Sequence, residues 1–190
     1  MIVVLDETRA LVDVAGAVLR CPGCGGQLRR WGFARTRPVR SPGGACAPLR
    51  PRLVRCASCA RTHVLLPALV PARHAYSVDV VGQVLLAAAA GRSHHVIGAE
   101  LGVPPDTVRG WIRRVRARAQ WLRAQATTTA HAFDPELAPM LPVGSVLAEA
   151  VCALGTAASA VARRLGPIAS PWQFIAMIAR GQLLAPLPSG

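Results

Sequence analysis

The chain has 190 residues, just over half of them apolar, enough for one or two small folded domains. Its formal net charge is +13 at pH 7, and every basic residue other than histidine is arginine. The wealth of Ala, Gly and Pro marks a GC-rich coding sequence, so the choice of Arg over Lys carries no weight; the sign of the charge does, and it favours a polyanion, either nucleic acid or an anionic membrane surface.

The charge is unevenly spread. From Val14 to Val78 there are eleven Arg and no Asp or Glu, and from Val80 to Phe133 seven Arg face only Glu100 and Asp106. From Asp134 onward three Arg balance three acids. One basic run is ordinarily a solvated face, whereas two in succession, each with its own motif, suggest contact surfaces. The opening Met-Ile-Val-Val-Leu-Asp-Glu lacks the basic and apolar regions of a secretory signal, which points to a cytoplasmic, nucleoid-associated protein.

In chain order, residues 1–19 read as a lead-in, a short apolar run followed by a short helix on Leu11, Val14, Val18 and Leu19. Residues 20–70, rich in Gly, Pro, Cys and Arg, have the composition of a small β ribbon. Ser77 is an N-cap for a helix over Val78–Ala90 ending at Gly91, and Ser93 opens a second helix to about Leu101. A third begins near Pro104–Pro105 and runs to about Ala126, so 77–126 forms a three-helix domain. Thr127–Thr129 and the prolines at 135, 139 and 142 place a linker at 127–144. The tail, 145–190, holds two apolar helices divided by Gly166-Pro167. Within it Val143–Ala162 is long enough for a membrane span, but its Ala and Gly content and the internal Glu149 argue against one. The expected fold is therefore mainly α, with a small N-terminal β ribbon.

Cys21-Pro-Gly-Cys24 and Cys56-Ala-Ser-Cys59 are matched C-x₂-C pairs. Two residues between thiols allow a tight knuckle in which both sulfurs reach one ion, and two knuckles make a closed tetrahedral site. Such a site is structural, since a catalytic zinc keeps a position open. One Zn²⁺ on Cys21, Cys24, Cys56 and Cys59 is the expected cofactor. Ser41–Pro48 reads as a loop inserted between the knuckles, and Trp31, Phe33, Leu53, Val54, Val64 and Leu65 as the core beside the metal. His63 and Cys46 are alternative ligands, expected instead to pack and to be a free thiol; Cys152 is expected in the core. A redox pair is the other reading of C-x-x-C, and it fits two pairs in an acid-free context less well.

The run from Ser93 to Arg114 carries the spacing of a helix-turn-helix. Gly98 is small where two helices cross, and Gly102 falls in the turn, where positive φ is needed. Ile97, Leu101, Val103, Val108, Trp111 and Ile112 fall where apolar residues join the helices. Proline suits the start of the next helix, and Asp106 suits its positive end. The helical period leaves Asp106, Thr107, Arg109, Gly110 and Arg113 largely opposite Val108, Trp111, Ile112 and Val115. In this motif the exposed N-terminal part of the second helix enters the major groove. Arg109 and Arg113 are the candidate base readers, because a guanidinium can bond guanine O6 and N7 together. Arg114, Arg116 and Arg118 are candidates for phosphate, with Arg92 a weaker one. A helical hairpin with an incidentally basic face is the plain alternative. His94 and His95 are surface residues, not metal ligands.

Cys21-Pro-Gly-Cys-Gly-Gly, then residues 52–67 with Arg-Thr-His-Val-Leu-Leu-Pro after the last cysteine, then the Arg-rich helices, resemble a family of small actinobacterial zinc-ribbon and helix-turn-helix proteins. Those proteins are similar in turn to the N-terminal DNA-binding region of insertion-sequence transposases. The resemblance covers about residues 18–125. It implies zinc on the four cysteines and DNA contacts from the helix starting near Pro105. A transposase also needs three carboxylates to gather two metal ions, and beyond residue 126 only Asp134, Glu136 and Glu149 remain. No catalysis and no small-molecule substrate are expected.

The expected partner is double-stranded DNA, in the role of a transcriptional regulator. A transposase-derived accessory that binds element ends is the alternative, and a ribbon gripping protein or RNA is another. The apolar tail either packs on the DNA-binding helices or forms a homodimer interface, and both readings stay open.

Overall fold

The computed structural model describes residues 1–139, 143–166 and 170–185. Strand β1 (Ile2–Val4) and helix α1 (Glu7–Ala15) come first, then five strands: β2 (Leu28–Phe33), β3 (Arg37–Arg40), β4 (Cys46–Leu49), β5 (Arg52–Cys56) and β6 (Thr62–Pro67). Six helices follow: α2 (Val78–Ala89), α3 (His94–Leu101), α4 (Pro105–Ala117), α5 (Ala119–Phe133), α6 (Val146–Leu165) and α7 (Pro171–Ile178). About half of the chain is helical and the strands lie between Ile2 and Pro67, with helices beyond, as the sequence implies.

The main sheet has the order β1-β6-β5-β2, with β1 parallel to β6 and the other pairs antiparallel. Asp6 caps α1 by accepting from the amides of Thr8 at 2.7 Å and Arg9 at 3.1 Å. One face of α1 then delivers Ala10, Leu11 and Val14 onto Leu28, Val54, Cys56 and Leu65. Glu7 Oε1 ties the helix to the sheet by accepting from the Arg52 amide at 2.8 Å. The expected ribbon core is therefore right at Val54 and Leu65 and wrong at Trp31 and Phe33, which are exposed. Alternation from buried Leu28 turns Trp31 to the face away from the core, and the register of this outer strand slips at Trp31, leaving it without a partner residue. Phe33 sits across from Arg52 at the strand's end.

The segment expected as a loop at 41–48 is the tip and return strand of a second, two-stranded sheet. β3 and β4 pair from Arg37↔Leu49 to Arg40↔Cys46, and Gly43 and Gly44 turn the chain at φ 73° and 80°. This hairpin is fastened to the approach to α2. The Arg40 amide donates to the Ala75 carbonyl and the Ser77 amide to the Arg40 carbonyl, both at 2.8 Å, while the Arg37 guanidinium donates to the His74 carbonyl at 2.8 Å.

The helices enclose a separate, larger core. Ser77 and Ser93 cap α2 and α3 by accepting from the amides of Val80 and Val96. The helix expected to reach Ala126 breaks at Arg118 (φ −114°, ψ 6°), where α4 ends and α5 sets off. α5 then continues to Phe133, straight through the expected linker at Thr127–Thr129. Tertiary packing overrides local preference there: Ala126 and Ala130 are fully buried in the core shared with α6, and Thr129 returns its hydroxyl to the Gln125 carbonyl at 2.8 Å. Pro142 and Pro167, expected to bound the tail helices, lie outside the described residues.

The tail folds into this same core. α6 buries Leu147, Val151, Leu154 and Val161, and Ile175, Leu183 and Leu184 are buried as well. Cys152, expected inside, is exposed. Gly82 of α2 makes room for α7, since a Cβ there would lie 2.1 Å from the Trp172 ring. The Ser170 hydroxyl donates to the Asp79 carboxylate, joining the N-terminal ends of α7 and α2. By length and composition α6 could cross a membrane, with a mean hydropathy of 1.4, but half of that stretch is buried inside the protein, as in a core helix.

Candidate metal centre and nucleic-acid interface

The two knuckles meet at one end of the main sheet. Cys56 closes β5 and pairs with Leu28, and the turns at Cys21–Cys24 and Cys56–Cys59 bring their sulfurs face to face. All four Sγ atoms lie within 4.8 Å of one another, with Cys21–Cys59 at 3.8 Å and Cys24–Cys56 at 3.5 Å. Tetrahedral zinc with Zn–S bonds near 2.3 Å requires sulfur–sulfur edges of about 3.8 Å. The donor set therefore fits one tetrahedral metal ion. Cys21 and Cys56 are buried, whereas Cys24 and Cys59 face outward.

The thiols are electrostatically unequal. Amide donation from Cys59 holds the Cys56 thiol down at about 6. Cys24 is pushed up to about 12: the Gly26 amide favours its thiolate, but the sulfurs of Cys56 and Cys59 outweigh it. Four thiolates cannot gather here without a cation, which a divalent metal supplies. His63 is buried beside the cluster, with Nε2 3.4 Å from Cys21 Sγ. It stands outside the ligand set, and in the Nε2–H tautomer it donates to the Cys21 sulfur, the orienting contact that metal ligands commonly receive. Cys46 lies on β4, exposed and outside the cluster.

Helices α3 and α4 meet through a short turn. Gly102 adopts φ 62°, the Val103 amide donates to the Gly98 carbonyl at 3.0 Å, and a Cβ on Gly98 would lie 2.6 Å from the Val103 carbonyl oxygen. Both glycines are thus required by the backbone. Val108, Trp111, Ile112 and Val115 hold α4 to the core, and Tyr76 meets the Trp111 ring edge-on at 5.3 Å.

Opposite that buried face, Asp106, Arg109, Gly110 and Arg113 line one shallow depression, beside half-buried Thr107. Asp106 and Arg109 form an i,i+3 ion pair at 3.4 Å. Arg109, Arg113 and Arg116 also share a cleft of about 290 Å³ with Arg92 and His94. The other two arginines of the expected set point elsewhere. Arg114 lines a different hollow with Arg73 and His74. Arg118 donates to Gln182 Oε1 at 2.9 Å and to the Ala185 carbonyl at 3.4 Å, holding the tail to the α4–α5 break. Its position inside the expected third helix offered no sign of that task.

Residues 21–111 match a family model described as a domain of unknown function (DUF6431). No curated protein and no solved structure matches the chain. The matched span begins at the first cysteine of the cluster and ends at Trp111 in α4. It thus treats the cysteine sheet, the inserted hairpin and helices α2 and α3 as one unit.

Proposed function

We propose that this chain binds double-stranded DNA with sequence preference and acts as a transcriptional regulator. In this reading α3 and α4 are a helix-turn-helix, α4 lies in the major groove, and the four cysteines hold one structural Zn²⁺. The observation that carries it is the split of α4: four apolar side chains are buried on one side, while Asp106, Arg109, Gly110 and Arg113 gather on the solvent side of its N-terminal half. That half is the part of a recognition helix that meets base edges. Arg109 and Arg113 read bases, Thr107 supplements them, and Arg116, with Arg92 across the cleft, takes phosphate. Of the others expected on phosphate, Arg114 lines a different hollow and Arg118 is bonded to Gln182 and Ala185. The four-cysteine sheet is a second, sequence-independent contact.

Selection of bound duplexes from a random pool, repeated with Arg109→Ala and Arg113→Ala, tests the reading. Each variant should lose preference at defined base pairs yet retain salt-sensitive binding. With about six phosphates engaged, the log–log salt slope should be near −5. An unchanged preference in both variants, or a slope near zero, would refute it. Metal analysis should find about one zinc per chain.

A further inference from the structure

The two aromatic side chains of β2 are left out of the core. Trp31 is 56% exposed and Phe33 42% exposed. Neither ring is bare, however. The Arg55 guanidinium lies over Trp31 at 4.4 Å from the ring centroid, and those of Arg50 and Arg52 lie over Phe33 at 4.4 and 4.2 Å. The register explains the pairing, because Phe33 sits directly across from Arg52, and Trp31 follows two residues after Arg29, the cross-strand partner of Arg55.

A cation held by a ring is attracted to its π face, an interaction that consumes none of the guanidinium N–H donors. A carboxylate partner would consume them. Among the described residues no carboxylate lies within ion-pair reach of Arg50, Arg52 or Arg55, and residues 14–78 contain no acid. Arg55 gives Nε to the Ala60 carbonyl at 3.1 Å and keeps its other donors. The β2–β5 edge thus carries three oriented cations with donors to spare, Arg50 and Arg52 over Phe33 on the side of Val54 and Arg55 over Trp31 on the opposite side. The one neighbouring carboxylate, Glu7, is bonded to the Arg52 backbone amide and not to a guanidinium.

We propose that this edge is a phosphodiester-binding surface, on which Trp31 and Phe33 hold Arg55, Arg50 and Arg52 in place to grip a nucleic-acid backbone. The inference rests on the DNA-binding reading above but assigns different residues and a different task. These arginines contribute affinity and leave sequence preference to α4. The planar guanidinium suits phosphate in a bidentate pair. An anionic membrane would share the charge, but rings lying under guanidinium groups are not free to enter an apolar phase. The aromatic platforms matter because an arginine already confined loses less freedom when it binds.

The test compares full-length wild type with Trp31→Ala/Phe33→Ala and with Arg50→Gln/Arg52→Gln/Arg55→Gln, on the duplex that wild type selects, between roughly 50 and 200 mM salt. Metal content and circular dichroism confirm folding. If the alanine pair loses metal, Trp31→Leu/Phe33→Leu replaces it. The triple variant should flatten the salt slope by about three, equally for all sequences. The aromatic variant, with its charge unaltered, should bind on the order of tenfold more weakly with the same base preference. If both variants bind the duplex as wild type does, the assignment is overturned while the α4 reading stands. The same holds if they lose only binding to phosphatidylglycerol vesicles. If wild type binds no duplex, both readings fall.

Discussion

Gly110 costs the fold something and gives it nothing in return. It sits inside α4, where glycine is worse than alanine by about 1 kcal/mol, yet a Cβ there would meet nothing within 4 Å. Gly98, by contrast, is demanded by the neighbouring carbonyl. On the proposed DNA-binding reading, the bare backbone at Gly110, beside Arg109 and Arg113, leaves room for a duplex to approach. Gly110→Ala should therefore raise stability by about 1 kcal/mol while weakening duplex binding, as measured by denaturant unfolding and by titration. Gly155 in α6 is equally open, and Gly155→Ala, as the control, should stabilise without touching binding. His74 supplies a second residue-scale expectation. Burial, then the charges of Arg114 and Arg37, hold its imidazole below the usual histidine value. Below about pH 6.5 the unfolded chain takes up a proton that the folded chain refuses, so stability falls with acidification and is full above that value. Melting temperature between about pH 7 and 5 should drop more in wild type than in His74→Gln.

Among the elements, two main hydrophobic cores stand out, with a small third cluster of Ala68, Val78 and Ala176 between them. One is built by β1, α1 and the cysteine sheet, the other by α2 to α7. With a metal on the four cysteines, as proposed, a sheet with so small a core would depend on it, whereas the helices would not. Chelation should therefore abolish the sheet and expose Trp31 further, with most of the helical circular dichroism retained. Loss of all structure in a single step would contradict two separable cores. The contrast between legible and illegible elements has the same physical root. Ser77, Ser93, Gly102 and the C-x₂-C pairs act through neighbours a few residues away, so their roles could be read directly from the chain. The β3–β4 hairpin is secured by Ala75 and Ser77, more than thirty residues after Arg40, and nothing local announces those bonds. The Thr127–Thr129 run likewise looks like a linker until α6 arrives to bury Ala126 and Ala130. Trp31 and Phe33 read as core from their aromatic character alone, which does not say which face of an outer strand they take. The apolar and basic sides of α4 follow from the helical period alone, whereas the bonds of Arg118 to Gln182 and Ala185, more than sixty residues on, have no local signal.

For the whole molecule, the apolar tail proves to be mostly interior. Its large side chains complete the core around α2 and α5, so a homodimer through this tail would have to use the remaining outward face, where Val146 and Leu165 are exposed. The basic character is divided between the cysteine sheet and α4, and the two are not loosely strung. Val3 of β1 packs with Ala68, Val78 of α2 and Ala176 of α7, and on the adjoining β3–β4 hairpin the Arg40 guanidinium lies 5.5 Å from the centre of the Tyr76 ring, which in turn meets Trp111 of α4. That bridge has a consequence for how the protein would measure DNA. Two surfaces joined this stiffly must meet the duplex at a fixed rotational phase, whereas flexibly tethered ones would tolerate any offset. Moving a protected flank by about five base pairs relative to the α4 site should turn it to the far side of the helix and cost affinity, and moving it by about ten should restore most of it. Binding that oscillates with spacing would mark a rigid gauge, and binding that declines smoothly would mark a tether.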